Sequence, residues 1–235
     1  MRLVITVLRP VALWLSRWFF KIQFNGVEHI PPSGACIVTP NHLTYADPIW
    51  ITIPIYRRVR YMAWARMFEI PGLGLIMRSF GAFPVKLEST DKYAQREAIE
   101  LLKRGDALVI FPEGGRSKNG KLMPFKAGAF RLAITHGIPI LPVTIHEGAY
   151  EIWPVHQTFP RSGELTITFH PPIAVEPLTE ELNKLEIKQR ARELANRTRA
   201  VVASVLDDAT VEEERLLIGG NDVEPVMKQD TPSPF

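Results

Sequence analysis

The sequence predicts one α/β domain, and three observations carry that expectation. From residue 35 onward, short apolar runs of strand length alternate with stretches of helical periodicity, the pattern of strand–helix–strand units. Prolines and glycines punctuate the joins where an α/β chain needs turns and helix stops. The 235 residues are 46% apolar and 23% charged, enough for one sizeable core with appendages, and no internal repeat suggests an array.

Taken in order, "ACIVT" (35–39) reads as a buried strand ending at Pro40, and "VRYMA" (59–63) as a second. "GAFPV" (81–85) reads as a third, with Pro84 confining it to an edge. "STDKYAQREAIELLKRGD" (89–106) reads as a helix capped by Ser89, Thr90 or Asp91. Its apolar face is Ala94, Ala98, Leu101 and Leu102, and its stop is Gly105. "ALVIF" (107–111) is the plainest strand and runs into "PEGGRS". "KAGAFRLAITHG" (126–137) reads as a helix stopped by Gly137, followed by the strands "IPILPVTI" (138–145) and "ELTITFH" (164–170) and a closing helix over 179–206. Residues 25–206 form the expected domain. Residues 207–235 form an acidic tail, polar enough from "IGGND" onward to be expected disordered.

Residues 1–24 are the third segment. They carry Arg2, Arg9, Arg17 and Lys21 with no acid in the first 22, and no uncharged run reaches the roughly 18 residues a membrane span needs. At about 100° per residue the four cations, Thr6 and Ser16 share one sector, with Trp14, Trp18 and Phe19 opposite. That is the pattern of a helix lying in a membrane interface, interrupted by Leu13 and Phe20 and kinked at Pro10. A core helix is the other reading. A signal peptide is disfavoured because arginines break its apolar region.

The net charge of +3 hides an asymmetry: residues 207–235 hold eight acids and two bases (−6), leaving 26 bases and 17 acids (+9) in the rest. A positive body suits an anionic membrane or an acidic soluble partner. Nucleic acid is disfavoured, since no nucleic-acid motif is present. The one cysteine, Cys36, excludes an internal disulfide and a four-cysteine zinc site.

Two stretches carry chemistry. In "TPNHLTYADPIW" (39–50), His42 and Asp47 would point about 140° apart on a continuous helix, so a straight helix cannot pair them. Asp47–Pro48 instead reads as a helix N-cap with proline at the first position, leaving His42 on the preceding loop. The loop can then bring carboxylate to imidazole, fixing the tautomer so that the second nitrogen takes a proton. On this stretch alone, a plain helix cap beside a solvated histidine is the simpler reading. In "FPEGGRS" (111–117), a strand ending in Glu113, Gly114, Gly115 and Arg116 offers unobstructed amides beside a guanidinium, a combination that favours an anionic ligand. A surface turn is the plainer alternative.

Together these stretches resemble the glycerophospholipid acyltransferase family. Its first motif, Asn-His, four residues, Asp, is matched by Asn41, His42 and Asp47. Its third, Phe-Pro-Glu-Gly-Thr-Arg-Ser, is matched by Phe111–Ser117 with Gly115 in place of threonine. Its fourth is matched by "ILPVTI", and the linking "PFKAGAFRLA" is similar as well. The second motif departs, since "GAFPVKLEST" has Lys86 then Leu87 where the family has an arginine that contacts the acceptor phosphate. The likeness runs from about residue 24 to 172.

The resemblance implies a central mixed sheet flanked by helices and an O-acyltransferase. His42, oriented by Asp47, would deprotonate a lysophospholipid hydroxyl, most simply that of 1-acyl-sn-glycerol 3-phosphate, which attacks an acyl-CoA or acyl-acyl carrier protein thioester to give phosphatidic acid. Glu113, Gly114, Gly115 and Arg116, with Lys86 and Asn41, would hold the acceptor. It implies no metal or cofactor beyond the acyl donor, and a peripheral or monotopic place on the cytoplasmic face of the cell membrane. Another lysolipid acceptor, or a non-catalytic lipid-binding relative, are the alternatives. A serine hydrolase is disfavoured by the lack of Gly-x-Ser-x-Gly. A Cys36 nucleophile and a metal site on His42, Asp47 and Glu113 are weaker rivals.

Overall fold

Runs too apolar to meet water on either side build the centre of a sheet. The computed structural model describes residue 14 and residues 18–86, 92–146, 148–177 and 183–207. Among these, β2 (Cys36–Pro40), β5 (Ala107–Val109) and β6 (Ile140–Ile145) are buried at every position, as strands covered on both faces must be. They are joined by β1 (Ile22–Asn25), β3 (Val59–Trp64), β4 (Ala82–Val85) and β7 (Leu165–Phe169) in the order β1-β7-β6-β2-β5-β3-β4. Every neighbouring pair is parallel except β6 with β7, so the sheet is mixed. Pro84, which has no N–H to give, sits in β4, paired only with β3 at the edge.

The helices are α1 (Asp47–Trp50), α2 (Leu73–Ser79), α3 (Lys92–Lys103), α4 (Gly128–His136), α5 (Gly148–Ile152) and α6 (Lys184–Ala203). In α3 the residues expected to face inward, Ala94, Ala98, Leu101 and Leu102, are all buried. The expected caps of that helix, Ser89 to Asp91, lie outside the described residues. Helix α6 opens on a capping box, Asn183 with Glu186, and buries Ala191, Ala195, Thr198 and Val202. Its C-terminal end is tied to the sheet by Thr144, whose Oγ1 donates to the Val202 carbonyl (2.9 Å) and bonds His170 Nε2 (2.8 Å). The tail expected beyond residue 207 and most of the N-terminal segment fall outside the described residues. Trp14, Trp18 and Phe19 are described and exposed, while Phe20, which broke the cationic sector's pattern, turns inward edge-on to Trp50 at 5.1 Å. The sheet itself reaches back to Ile22, three residues before the boundary drawn from the sequence.

Two cores cover the two faces. On one, Val38, Val109 and Val143 pack with Trp50, Ile51 and Ile53, which follow β2. On the other, Ile37, Leu108 and Ile140 pack with α3, α4 and α6. The chain leaving β2 therefore crosses one face toward β3, and the chain leaving β5 crosses the opposite face toward β6. Adjacent parallel strands whose connections part in this way leave a crevice at their carboxyl ends, the usual place for a ligand in an open α/β sheet. His42 follows β2 and Glu113 follows β5, so both stand at that crevice.

Asn41 holds its edge together. Its amide donates to the Ile145 carbonyl (2.8 Å) and accepts from the Ile145 N–H (2.7 Å), extending the β2–β6 pairing by one side chain that acts as a peptide group. Replacing it strands two buried backbone groups of Ile145. Asn41→Ala is expected to cost about 1–3 kcal/mol, read as a lower urea midpoint with an unchanged m-value; a midpoint equal to wild type would show the clamp to be dispensable.

Candidate active site

The loop from His42 to Asp47 is built around one buried carboxylate. Asp47 has no exposed side-chain surface, and its oxygens must find donors within the protein. Oδ2 accepts from the N–H groups of Leu43 (2.6 Å) and Thr44 (2.8 Å), and Oδ1 from the Thr44 hydroxyl (2.6 Å). The Thr44 Oγ1 in turn accepts from Ala46 N–H (3.1 Å). His42 Nδ1 lies 2.8 Å from Oδ2. Because an ionised carboxylate only accepts, Nδ1 carries the hydrogen and Nε2 is left with its lone pair.

The expected helix cap is not what Asp47 does. The residue flanking α1 is Ala46, Asp47 is its first residue, and no side-chain cap is made, although Pro48 does fall in the first turn. The reason is competition for lone pairs: the donors of the preceding loop take the carboxylate, which folds the chain backward onto itself instead of forward onto the helix.

The β5 turn clasps the same histidine from the other side. Glu113 Oε1 accepts from the His42 N–H (3.2 Å), Ser117 N–H donates to the His42 carbonyl (2.8 Å), and the Phe111 ring stacks on the imidazole at 3.9 Å. Phe111, which the sequence offers only as the first residue of its motif, forms one wall against the His42 ring. Glu113 is 5% exposed, and its enclosed Oε2 makes no close hydrogen bond among the described residues. Burial pushes its pKa from the ordinary 4.5 up to about 9, against the His42 N–H, with the Asp47 charge adding to the rise.

Gly114 has a positive φ of 76°, and a Cβ there would come within 2.4 Å of Lys126 Nζ, so the lysine stem lies across the bare glycine. Lys126 is thus a further cation at the turn; it stands in the "PFKAGAFRLA" stretch, and nothing local in the sequence places it beside Gly114. Gly115, where the family motif has threonine, meets nothing within 4 Å of its Cβ position, so the turn is open on that side. The Arg116 guanidinium sits 3.4 Å over the Tyr45 ring, and its enclosed Nη1 has no hydrogen bond among the described residues.

The structure thus brings together Asn41, His42, Asp47, Glu113, Gly114, Gly115 and Arg116. Lys86 follows β4, and β3 lies between β4 and β5, placing it on the same sheet edge but about 10 Å of strand spacing away. Cys36 is buried at the opposite end of β2, with its thiol pKa raised by burial, about 20 Å of extended strand from His42. Among the described residues no group of three or more His, Cys, Asp or Glu is placed to hold a metal ion.

Comparison with known proteins identifies the family. Residues 21–146 match the Acyltransferase family. The chloroplastic 1-acyl-sn-glycerol-3-phosphate acyltransferase BAT2 of Brassica napus is 31% identical over 66% of this chain and 46% of its own length. The 1-acyl-sn-glycerol-3-phosphate acyltransferase of Borreliella burgdorferi is 30% identical over 58% of this chain and 54% of its own. The chain therefore spans about half the length of these relatives. The crystal structure of the 1-acyl-sn-glycerophosphate acyltransferase PlsC from Thermotoga maritima superposes with a TM-score of 0.65 at 27% identity, covering 86% of this chain and 80% of that one. Since the matched span exceeds half the chain and takes in both the His42–Asp47 loop and the Glu113–Arg116 turn, the chain belongs to the Acyltransferase family.

Proposed function

We propose that this protein transfers a fatty acyl group from an acyl thioester to the free hydroxyl of 1-acyl-sn-glycerol 3-phosphate, giving phosphatidic acid. The observation that carries the reading is the 2.8 Å contact between His42 Nδ1 and the wholly buried Asp47 carboxylate, which leaves Nε2 as a base at the crevice. The reactions named for the relatives supply the substrate class.

In the proposed reaction, His42 Nε2 takes the hydroxyl proton as the oxygen attacks the thioester carbonyl. The C–O bond forms, the C–S bond breaks, and the imidazolium returns the proton to the departing sulfur. Asp47 stabilises the imidazolium between the two transfers, and no enzyme nucleophile is needed. Arg116 and Lys126 supply positive charge for the acceptor phosphate, Gly114 makes room for the Lys126 stem beside it, Gly115 lets the phosphate approach the backbone, and Lys86 adds a more distant cation. Neutral Glu113 holds the His42 peptide from the turn side. Asn41 serves the acceptor site through the loop it anchors. Coenzyme A and acyl carrier protein present the same thioester, and the positive body favours either an anionic cofactor or an acidic carrier.

The enzyme would work as a peripheral protein on the cytoplasmic face of the membrane, where its lipid acceptor resides. Among the described residues no helix is long and apolar enough to cross a bilayer. Exposed Trp14 and Trp18, stacked at 6.2 Å, are the amphipathic rings that favour an interface.

His42→Ala should lower turnover by at least about 100-fold in a labelled-thioester assay while the variant stays folded by circular dichroism; substantial activity in that variant would sink the assignment. A reporter fused to residues 1–24 should sediment with anionic vesicles, and a wholly soluble fusion counts against the membrane reading. Glu113 provides a third check. Its raised pKa means the folded state holds a proton that the unfolded chain releases between about pH 4.5 and 9, so this group's contribution to stability falls as pH rises through that window. Glu113→Gln should therefore lose less melting temperature than wild type between pH 5 and 8.5; equal losses would place the Glu113 ionisation below pH 5.

A further inference from the structure

We infer that Tyr45 is the residue that positions Arg116 for the acceptor's phosphate, and that it thereby couples the phosphate subsite to the catalytic loop. The inference rests on the proposed function for the identity of the phosphate, and on geometry for everything else. Arg116 is a long cation that no acid and no hydrogen bond holds among the described residues, with an enclosed, unbonded Nη1. What it does have is the Tyr45 ring, 3.4 Å from its Cζ. A guanidinium lying on an aromatic face keeps all its N–H edges for a ligand, whereas one paired with a carboxylate would spend them.

The ring is itself held. Tyr45 lies between His42 and Asp47 in the loop whose Leu43 and Thr44 amides, Thr44 hydroxyl and His42 ring all bond Asp47. Trp153 stands behind it at 5.9 Å, and Trp153 is fixed by its Nε1 bond to the Gln157 carbonyl (2.9 Å). One short loop therefore sets both the base and the platform of the cation. The distance from the hydroxyl to be deprotonated to the phosphate to be bound becomes a property of that loop, which selects acceptors carrying a phosphate at the right separation. The ring is 49% exposed, more than a residue kept only for core packing would be.

The test uses full-length Tyr45→Leu, Tyr45→Phe and wild type, with 1-acyl-glycerol 3-phosphate and the uncharged monoacylglycerol as acceptors. Tyr45→Leu should raise KM for the phosphorylated acceptor about 3- to 30-fold. Its kcat and its KM for the thioester should stay within about two-fold. Preference over monoacylglycerol should fall by the same factor as KM rises, while Tyr45→Phe, which keeps the aromatic face, stays near wild type. An unchanged KM, an equal loss on both acceptors, or a Phe variant as impaired as Leu overturns the inference. A second readout needs no turnover: the Arg116 Nε–Hε NMR signal, titrated with inorganic phosphate, should show Kd weakened by a similar factor in Tyr45→Leu and not in Tyr45→Phe. Wild type that acylates no lysolipid would sink the proposed function, and the phosphate titration would still decide Tyr45, with equal Kd values in all three proteins counting against it.

Discussion

A carboxylate with no access to water must collect its hydrogen bonds from the chain around it, and at Asp47 that requirement shapes the whole loop from His42 onward. Its donors come from three successive residues, His42, Leu43 and Thr44. Each bond fixes part of the backbone, and together they leave the imidazole a single orientation and a single tautomer. A lone ion in such a place would be costly, but a carboxylate that accepts from two amides, a hydroxyl and a ring nitrogen is stabilised in its charged form. The arrangement is thus structural and chemical at once: the bonds that fold the loop are the ones that leave His42 Nε2 as an acceptor.

The sheet decides what else meets that loop. Because the connections after β2 and β5 leave over opposite faces, the two strand ends stay open side by side, and the β5 turn can reach across to hold the His42 peptide at both its N–H and its carbonyl. The Glu113 contact has an electrostatic consequence. Its carboxyl sits against the buried Asp47 charge in a low-dielectric pocket, and both circumstances favour the neutral acid. Two carboxyls in one site thereby differ in their surroundings, the Asp47 oxygens crowded by donors and Glu113 kept protonated by burial.

Much of this was legible in the sequence, and the rest fails for identifiable reasons. Strands β2, β5 and β6 announce themselves because burial on both faces demands continuous apolar runs, and α3 because its period is strict. β1 has no such signal: "IQFN" is four residues at a sheet edge, and its partner among the described residues, β7, lies some 140 residues downstream. The His42–Asp47 pairing could be argued from spacing, but the cap assigned to Asp47 could not survive, since a local preference for helix N-termini lost to donors supplied by a tight loop. The Tyr45–Arg116 contact joins residues 71 positions apart and leaves no periodic trace. Lys126 was hidden by ordinariness, a lysine ahead of a helix until Gly114 is seen beneath it.

The central claim is that the His42–Asp47 pair acts directly on the acceptor hydroxyl, without an acyl-enzyme. The most direct measurement mixes the protein with a labelled acyl thioester in the absence of acceptor and follows free thiol and intact protein mass through the first turnover. The account predicts no stoichiometric burst of thiol and no acylated protein until acceptor is added. A burst matching the enzyme concentration, with the acyl mass on a side chain such as Cys36, would contradict it.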